Sequence, residues 1–170
     1  VIGGKEAMFD LPGDQALQQV ISRIWANGGL VAAVCHGPAA LAEIKLENGR
    51  YLVDGRAMTG FTEEEEALFG KRWAKEFAFQ LEPALRERGA RWQEAPLMQP
   101  KVVVDGQLLT GQNPYSTAAL ADAVVRASGR QPVAREPWRD ERSMALVEQH
   151  LAARNGDAAQ ALAATPAQYH

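Results

Sequence analysis

The chemistry of this chain centres on Cys35, its only cysteine, which ends a short apolar run and directly precedes His36, Gly37 and Pro38. This is the pattern of a nucleophile elbow, in which a buried strand turns sharply into a helix. A thiol at that corner lies near unpaired N–H groups and the positive end of the helix dipole, so we expect it to ionise. Thiolate is the nucleophilic form of cysteine, and a neighbouring imidazole can handle the protons of an attack on a carbonyl. Cys35 is therefore the predicted nucleophile, with His36 beside it.

A cysteine at a strand end can also be a simple packing residue, because free cysteine is among the most buried residue types. The residues that follow favour the reactive role. His36 is a poor choice for the next core position, and the Gly37-Pro38 pair suits a turn into a helix.

A third candidate lies in a run of four carboxylates, Glu63 to Glu66, that follows Thr62. Thr62 and Glu65 fit a capping box, and acidic residues in a first helical turn interact favourably with the dipole. Such a run is usually a solvated helix start. Glu66, however, points about 100° around the helix from Glu65 and can face inward while its two acidic predecessors stay in water. An inward carboxylate would orient His36 and stabilise its charged form.

The elements around these residues indicate an α/β domain. The run from Leu30 to Val34 is continuously apolar, as expected for a strand in a parallel sheet covered by helices on both faces. Asp14 is the predicted cap of the preceding helix, and Asp54-Gly55 and Asp105-Gly106 are predicted hairpin turns. Further helices are predicted over residues 38–45, 79–88, 115–127, 139–153 and 158–169.

Composition and segment boundaries limit the function classes. The 170 residues carry a net charge of −3, which leaves no basic footprint for nucleic acid, and no apolar run approaches the roughly 20 residues that span a bilayer. The start, Val1 to Gly4, has the character of a strand end entering a glycine turn, so we expect an N-terminal part to be missing. Residues 1–129 are the predicted domain, and 130–170 a linker and helical extension. Its helix at 139–153 either contacts a partner or, as we favour, packs on its own domain.

Together these motifs resemble the ThiJ/PfpI family, within the class I glutamine amidotransferase-like superfamily, and in it the heat-shock glyoxalase III and chaperone branch. The resemblance runs in order over residues 1–128 and is carried by AVCHGPAAL, GGKEAMFDLP, MTGFTEEEE, FQLEPAL and VVVDGQLLTGQNPYS. It implies a flavodoxin-like three-layer α/β sandwich with a mainly parallel sheet and a nucleophile elbow. It also implies a site free of cofactor and metal, with Cys35 as nucleophile, His36 as its neighbour and Glu66 as the acid. Gly4 and the backbone N–H of His36 match the oxyanion-hole donors.

The implied function is a glutathione-independent, glyoxalase III-type lyase that converts methylglyoxal to lactate. The same nucleophile could instead serve a cysteine amidase or peptidase, or a non-enzymatic chaperone or thiol sensor. A small aldehyde is the expected ligand, and a homodimer is expected from the family. A cytoplasmic location is also expected, and the single cysteine fits a reducing compartment. Two departures stand out: Lys5-Glu6 replaces the His-Gly that often follows the two glycines, and the family's earlier glutamate, which hydrogen-bonds the cysteine, has no counterpart here.

Overall fold

The computed structural model describes residues 1–154, in which short strands alternate with helices. The α-helices are α1 (Ala7–Asp10), α2 (Gln15–Ala26), α3 (Glu63–Phe69), α4 (Leu81–Glu87), α5 (Thr117–Ala127) and α6 (Arg139–Ala152). The strands are β1 (Val31–Val34), β2 (Ala57–Met58), β3 (Arg91–Trp92), β4 (Val102–Asp105) and β5 (Leu108–Gly111). Short 3₁₀-helices occupy Leu11–Gly13, Gly37–Leu41, Trp73–Lys75 and Pro114–Ser116.

β1, which ends directly before Cys35, is an outer strand of a three-stranded sheet with β5 in the middle. β1 pairs in parallel with β5, which pairs antiparallel with β4, and Ile2 forms a parallel bridge to Val34 on the other side of β1. β2 and β3 form a second parallel pair. The predicted mainly parallel sheet is confirmed. Because parallel strands end at a common edge, the carboxyl ends of β1 and its neighbour meet at one place.

Apolar side chains fill both faces of this sheet, as expected for a sheet covered by helices. One cluster joins Val31 and Leu108 to α2 and the buried 3₁₀ segment after the elbow. The other joins Val34 and Leu109 to Leu120 of α5. The three-layer α/β sandwich is confirmed. The elbow lies at the end of the sheet, where the two helical layers meet it.

The predicted helices largely form. Asp14 caps α2 by accepting a hydrogen bond from the N–H of Leu17 at 2.9 Å, and the helices near residues 79–88, 115–127 and 139–153 are α4, α5 and α6. The helix predicted at 158–169 lies outside the described residues. The chain divides into two compact units, one from Val1 to Val133 and one that begins at Ala134 and contains α6.

The helix predicted over residues 38–45 is wrong. It is only the 3₁₀-helix Gly37–Leu41, with N–H groups bonding three residues back, as from Ala39 to His36. The chain leaves the helical path because the carbonyl of Ile44 accepts the N–H of Leu52 at 2.9 Å, a contact that sequence periodicity cannot reveal. The elbow is thus followed by a short element with little dipole of its own.

The two predicted hairpins have opposite outcomes. β4 and β5 form a hairpin, but Asp105 pairs with Leu108, so the turn residues are Gly106 and Gln107, one position later than predicted. Gly106 has φ 60°, which suits the first position of a two-residue turn. The hairpin around Asp54-Gly55 is wrong, because the residues predicted for its second strand form β2 and pair in parallel with β3.

Candidate active site

Cys35 lies at a sharp corner directly after β1. Its φ is 61°, in the left-handed region that residues with a side chain rarely adopt. Two hydrogen bonds hold this backbone: the Cys35 N–H donates to the carbonyl of Gly111 at 2.9 Å, and its carbonyl accepts the N–H of Phe61 at 2.8 Å. The side chain remains half-buried. A strained, doubly anchored corner that presents a thiol is the geometry predicted for the elbow.

His36 links the thiol to a buried carboxylate. Its Nδ1 lies 3.3 Å from Cys35 Sγ, and its Nε2 lies 2.6 Å from Glu66 Oε2. Because a carboxylate only accepts, Nε2 carries the proton in this pair, which leaves the Nδ1 lone pair facing the thiol. His36 is 2% exposed and Glu66 6%, so water does not compete for this bond. The structure brings the three predicted residues into one continuous chain of contacts.

The start of α3 directs Glu66 inward. Thr62 and Glu65 form the predicted capping box, and Glu63 and Glu64 lie exposed while the next two carboxylates are buried. Within residues 1–154, Glu66 Oε1 has no hydrogen-bond partner. This oxygen lies against Gly70, where a Cβ would collide with it. The absence of a side chain one turn along α3 therefore leaves room for the carboxylate.

The backbone N–H groups of Gly4 and His36 lie near enough to the Cys35 sulfur to lower its pKa. These are the two predicted oxyanion-hole donors, and the structure places both beside the reactive atom. Gly4 has φ 125°, a conformation that favours glycine. Gly3 is equally constrained by space, since a Cβ there would lie 2.5 Å from the His36 nitrogen and 2.6 Å from that of Gly37. The glycine turn packs backbone against backbone at the elbow.

The prediction that the Cys35 thiol ionises readily is wrong. Its pKa is raised to about 11, chiefly by burial and also by the negative charges of Glu65 and Glu66, although the N–H groups of His36 and Gly4 act in the opposite sense. Two N–H groups and a short 3₁₀-helix do not offset the loss of water around the sulfur. The resting group is a thiol, so an attack on a carbonyl would need a base, and Nδ1 of His36 lies 3.3 Å from the sulfur.

Aromatic rings, which the sequence analysis missed, enclose the imidazole. The Phe61 ring lies 4.5 Å from that of His36, centroid to centroid, and Phe77 lies 6.1 Å away and packs edge-on against Phe9. The signal for Phe61 was its place in the Gly-Phe-Thr run, next to the helix cap; Phe77 and Phe9 come from distant segments and gave none. These rings keep the histidine in one orientation and exclude water from its bond to the carboxylate.

Lys5, at the position where the chain departs from the family pattern, joins two parts of the site. Its ammonium donates to the carbonyl of Phe69, at the end of α3, at 2.5 Å. A cation at the C-terminal end of a helix is electrostatically favourable. The turn that carries Gly4 is thereby tied to the helix that carries Glu66.

Comparison with known proteins identifies the family. The model of the DJ-1/PfpI family matches residues 1–127. The chain belongs to the DJ-1/PfpI family. It is 38% identical over 134 residues to a glutathione-independent glyoxalase of Schizosaccharomyces pombe, covering 75% of this chain and 55% of that protein. It is 39% identical over 124 residues to a glutathione-independent glyoxalase of Saccharomyces cerevisiae, covering 69% and 52%.

Among solved structures, glyoxalase III from Candida albicans is 32% identical and superposes with a TM-score of 0.68, covering 74% of this chain and 54% of the other. The chain thus spans about half the length of the curated relatives it matches. No helix within residues 1–154 is long and apolar enough to cross a membrane. In the same residues, no group of three or more His, Cys, Asp or Glu side chains could hold a metal ion.

Proposed function

We propose that the protein is a glutathione-independent glyoxalase that converts methylglyoxal and water to lactate, with Cys35 as nucleophile, His36 as base and Glu66 as the acid that orients the base. The observation that carries the proposal is the unbroken chain from Sγ to Nδ1 at 3.3 Å and from Nε2 to Oε2 at 2.6 Å. The glyoxalase names of the relatives favour an aldehyde over an acyl substrate.

The first step is addition of sulfur to the aldehyde carbon. Because the pKa of Cys35 is raised to about 11, His36 takes the thiol proton as the C–S bond forms, and the Glu66 carboxylate stabilises the resulting imidazolium. The aldehyde oxygen becomes an alkoxide, which the N–H groups of Gly4 and His36 are placed to stabilise. The alkoxide then takes the proton from the imidazolium, which gives a neutral hemithioacetal.

The second step moves hydrogen within the substrate. His36 removes the proton from the sulfur-bearing carbon and delivers it to the ketone oxygen, which forms the enediol. It then takes the proton of the hydroxyl group on the sulfur-bearing carbon and delivers it to the neighbouring carbon. The former aldehyde carbon is then a thioester and the former ketone a hydroxyl group. Water cleaves the C–S bond, releases lactate and restores the thiol. One carbon is oxidised and its neighbour reduced, so the reaction balances without an external oxidant, and the residues named need no cofactor.

We also propose that residues 1–129 hold this activity, that 130–170 are a linker and helical extension, and that the protein acts on a small aldehyde as a cytoplasmic homodimer. The family match over residues 1–127 and the boundary between compact units near residue 133 support the division. Light scattering on the purified protein tests the dimer. A monomeric mass at micromolar concentration would contradict it.

The function is tested by lactate formation from methylglyoxal without glutathione, comparing the wild type with Cys35→Ala and Cys35→Ser. We expect lactate from the wild type and none above background from either variant, with unchanged circular dichroism spectra. A folded wild type that alkylates at Cys35 but makes no lactate would contradict the glyoxalase assignment. Esters and amides would then be the next substrates, since the same residues can transfer acyl groups.

A further inference from the structure

We propose that Glu65 is a positioning residue, which clamps the start of α3 to the segment after β5 so that Glu66 meets His36. Its side chain is fully buried, at 0% exposure. Its Oε2 accepts the N–H of Thr62 at 3.0 Å, the bond of the capping box. Its Oε1 accepts three more hydrogen bonds, from the Met98 N–H at 3.0 Å and the side-chain amides of Gln112 at 3.0 Å and Asn113 at 2.8 Å.

The three bonds to Oε1 distinguish this residue from an ordinary helix cap. A capping box needs only the bond from Glu65 to the N–H of Thr62. The partners of Oε1 lie 33 to 48 residues further along the chain, in the loop before β4 and directly after β5. They fix the helix start relative to the sheet, a relation that capping leaves free.

The clamp, formed by Glu65 with its partners Thr62, Met98, Gln112 and Asn113, closes a ring of contacts through the active site. Gly111, the last residue of β5, accepts the N–H of Cys35 at 2.9 Å and is followed directly by the clamp residues Gln112 and Asn113. Glu65 binds this pair and is followed directly by Glu66, which contacts His36 at 2.6 Å. The nucleophile and the acid are therefore both held by one strand end. A shift of α3 against β5 would open the His36 to Glu66 bond.

The clamp is also a buried negative charge. Its four donors are neutral amides, so within residues 1–154 none of these hydrogen bonds brings a positive charge to the carboxylate. Among the described residues, the His36 imidazole contacts the Cys35 thiol, and the carboxylates of Glu65 and Glu66 act on it through their charge. A buried charge of the same sign opposes thiolate formation. An apolar residue at position 65 would avoid the buried charge and its effect on the thiol, but it could not accept hydrogen bonds from the four N–H groups.

Glu65→Gln therefore has two effects of opposite sense on reactivity. It keeps the size of the side chain but places an NH₂ group against N–H donors, which loosens the clamp, and it removes the charge near the thiol. We expect about a 100-fold lower kcat for lactate formation with a smaller change in KM, because misplacement of catalytic groups by about an ångström costs that much. We expect alkylation of Cys35 by iodoacetamide to move to lower pH. Glu64→Gln, which removes an exposed charge from the same helical turn, is the control.

A second variant, Gln112→Met, separates position from charge and serves if Glu65→Gln does not fold. It removes one clamp donor and leaves the carboxylate in place, so kcat should fall about 10-fold while the alkylation profile stays near that of the wild type. The proton on His36 Nε2 gives a direct readout by NMR: its downfield resonance, assigned by its loss in His36→Gln, should weaken or shift in both clamp variants and persist in Glu64→Gln.

The turnover measurement rests on the proposed function, whereas the NMR measurement does not. If the wild type makes no lactate, the glyoxalase assignment fails and the His36 resonance still decides on the clamp. The clamp is overturned if folded Glu65→Gln or Gln112→Met keeps that resonance unchanged. With an active wild type, it is equally overturned if either variant keeps a kcat within twofold of the Glu64→Gln control.

Discussion

The elbow and the start of α3 meet at His36, but they are built on opposite principles. At the elbow the backbone is strained, with Cys35 at φ 61°, and the following 3₁₀-helix is short. At the start of α3 the backbone is relaxed, the cap is complete, and Glu65 and Glu66 are buried in successive positions. The elbow has a strained backbone, whereas the start of α3 has buried carboxylates that are shielded from water.

This difference divides the chemistry between the two regions. The elbow presents the sulfur and two N–H donors but does not ionise the thiol, since burial raises its pKa to about 11. In the proposed mechanism, the carboxylate from α3 makes His36 a base that takes the proton during attack. Reactivity is therefore expected only when both regions are intact, as in serine hydrolases, and not from a preformed thiolate.

Removal of the charge from α3 is the strongest test of this division. In Glu66→Gln the imidazolium formed during attack loses its carboxylate, so kcat for lactate formation should fall by roughly 10² to 10⁴-fold. KM should change less, because Glu66 is buried behind His36. Steady-state kinetics of Glu66→Gln and of the control variant Glu64→Gln, which changes an exposed neighbour, measure kcat and KM. A Glu66→Gln enzyme within tenfold of that control would show that the elbow suffices.

The pH dependence of thiol alkylation tests the elbow by itself. The pKa of Cys35 is raised from its ordinary value of 9.0 to about 11, so the thiolate fraction at pH 8 should be about 100-fold smaller than for an exposed cysteine. The rate of alkylation by iodoacetamide should rise with pH and reach half its maximum only near pH 11. Mass spectrometry over pH 7 to about 11.5, with circular dichroism to exclude unfolding, follows it. A plateau below pH 8 would mean that the elbow forms a thiolate unaided.

The place of Glu66 after the capping box only allowed it to face inward, and the family resemblance selected it as the acid. Local signals alone were enough for Cys35 and His36, which follow from an apolar run that stops at a Gly-Pro turn. The same holds for Asp14, whose cap of α2 depends on residues three positions apart. These patterns depend on neighbours in the chain, so one sequence suffices to read them.

The predictions that failed depend on contacts that the periodicity of a single segment does not show. The helix predicted at 38–45 ends early because Ile44 bonds to Leu52, and the hairpin at Asp54-Gly55 is lost because β2 pairs with β3. The thiol pKa depends on burial by the whole domain, and the clamp on Glu65 draws on residues more than 30 positions away. The sequence marked Glu65 as a capping residue, and only the fold reveals its other three bonds.

Adding a methyl group at Gly3 tests the close backbone packing at the strained elbow. In Gly3→Ala the new Cβ would lie 2.5 to 2.6 Å from backbone atoms of the elbow, which cannot move as a flexible side chain can. We expect a loss of about 1–3 kcal/mol in the free energy of unfolding and a marked loss of lactate formation. Gly13→Ala is the matched control, because a Cβ there meets nothing within 4 Å. Urea unfolding of Gly3→Ala and Gly13→Ala measures the difference in the free energy of unfolding. Equal stabilities would contradict the close packing of the glycine turn.

The smallest expected effect comes from removing the N-cap side chain of α3, where the backbone is relaxed. Thr62→Ala removes the hydroxyl that accepts the N–H of Glu65 at 3.1 Å but leaves the Oε1 bonds of that carboxylate in place. We expect a loss of about 1 kcal/mol in the free energy of unfolding, typical of an N-cap, and a kcat within a few-fold of the wild type. Thr117→Ala, at an exposed position, controls for the substitution itself. A Thr62→Ala enzyme as inactive as Glu66→Gln would mean that the cap, and not the clamp, aims the acid at His36.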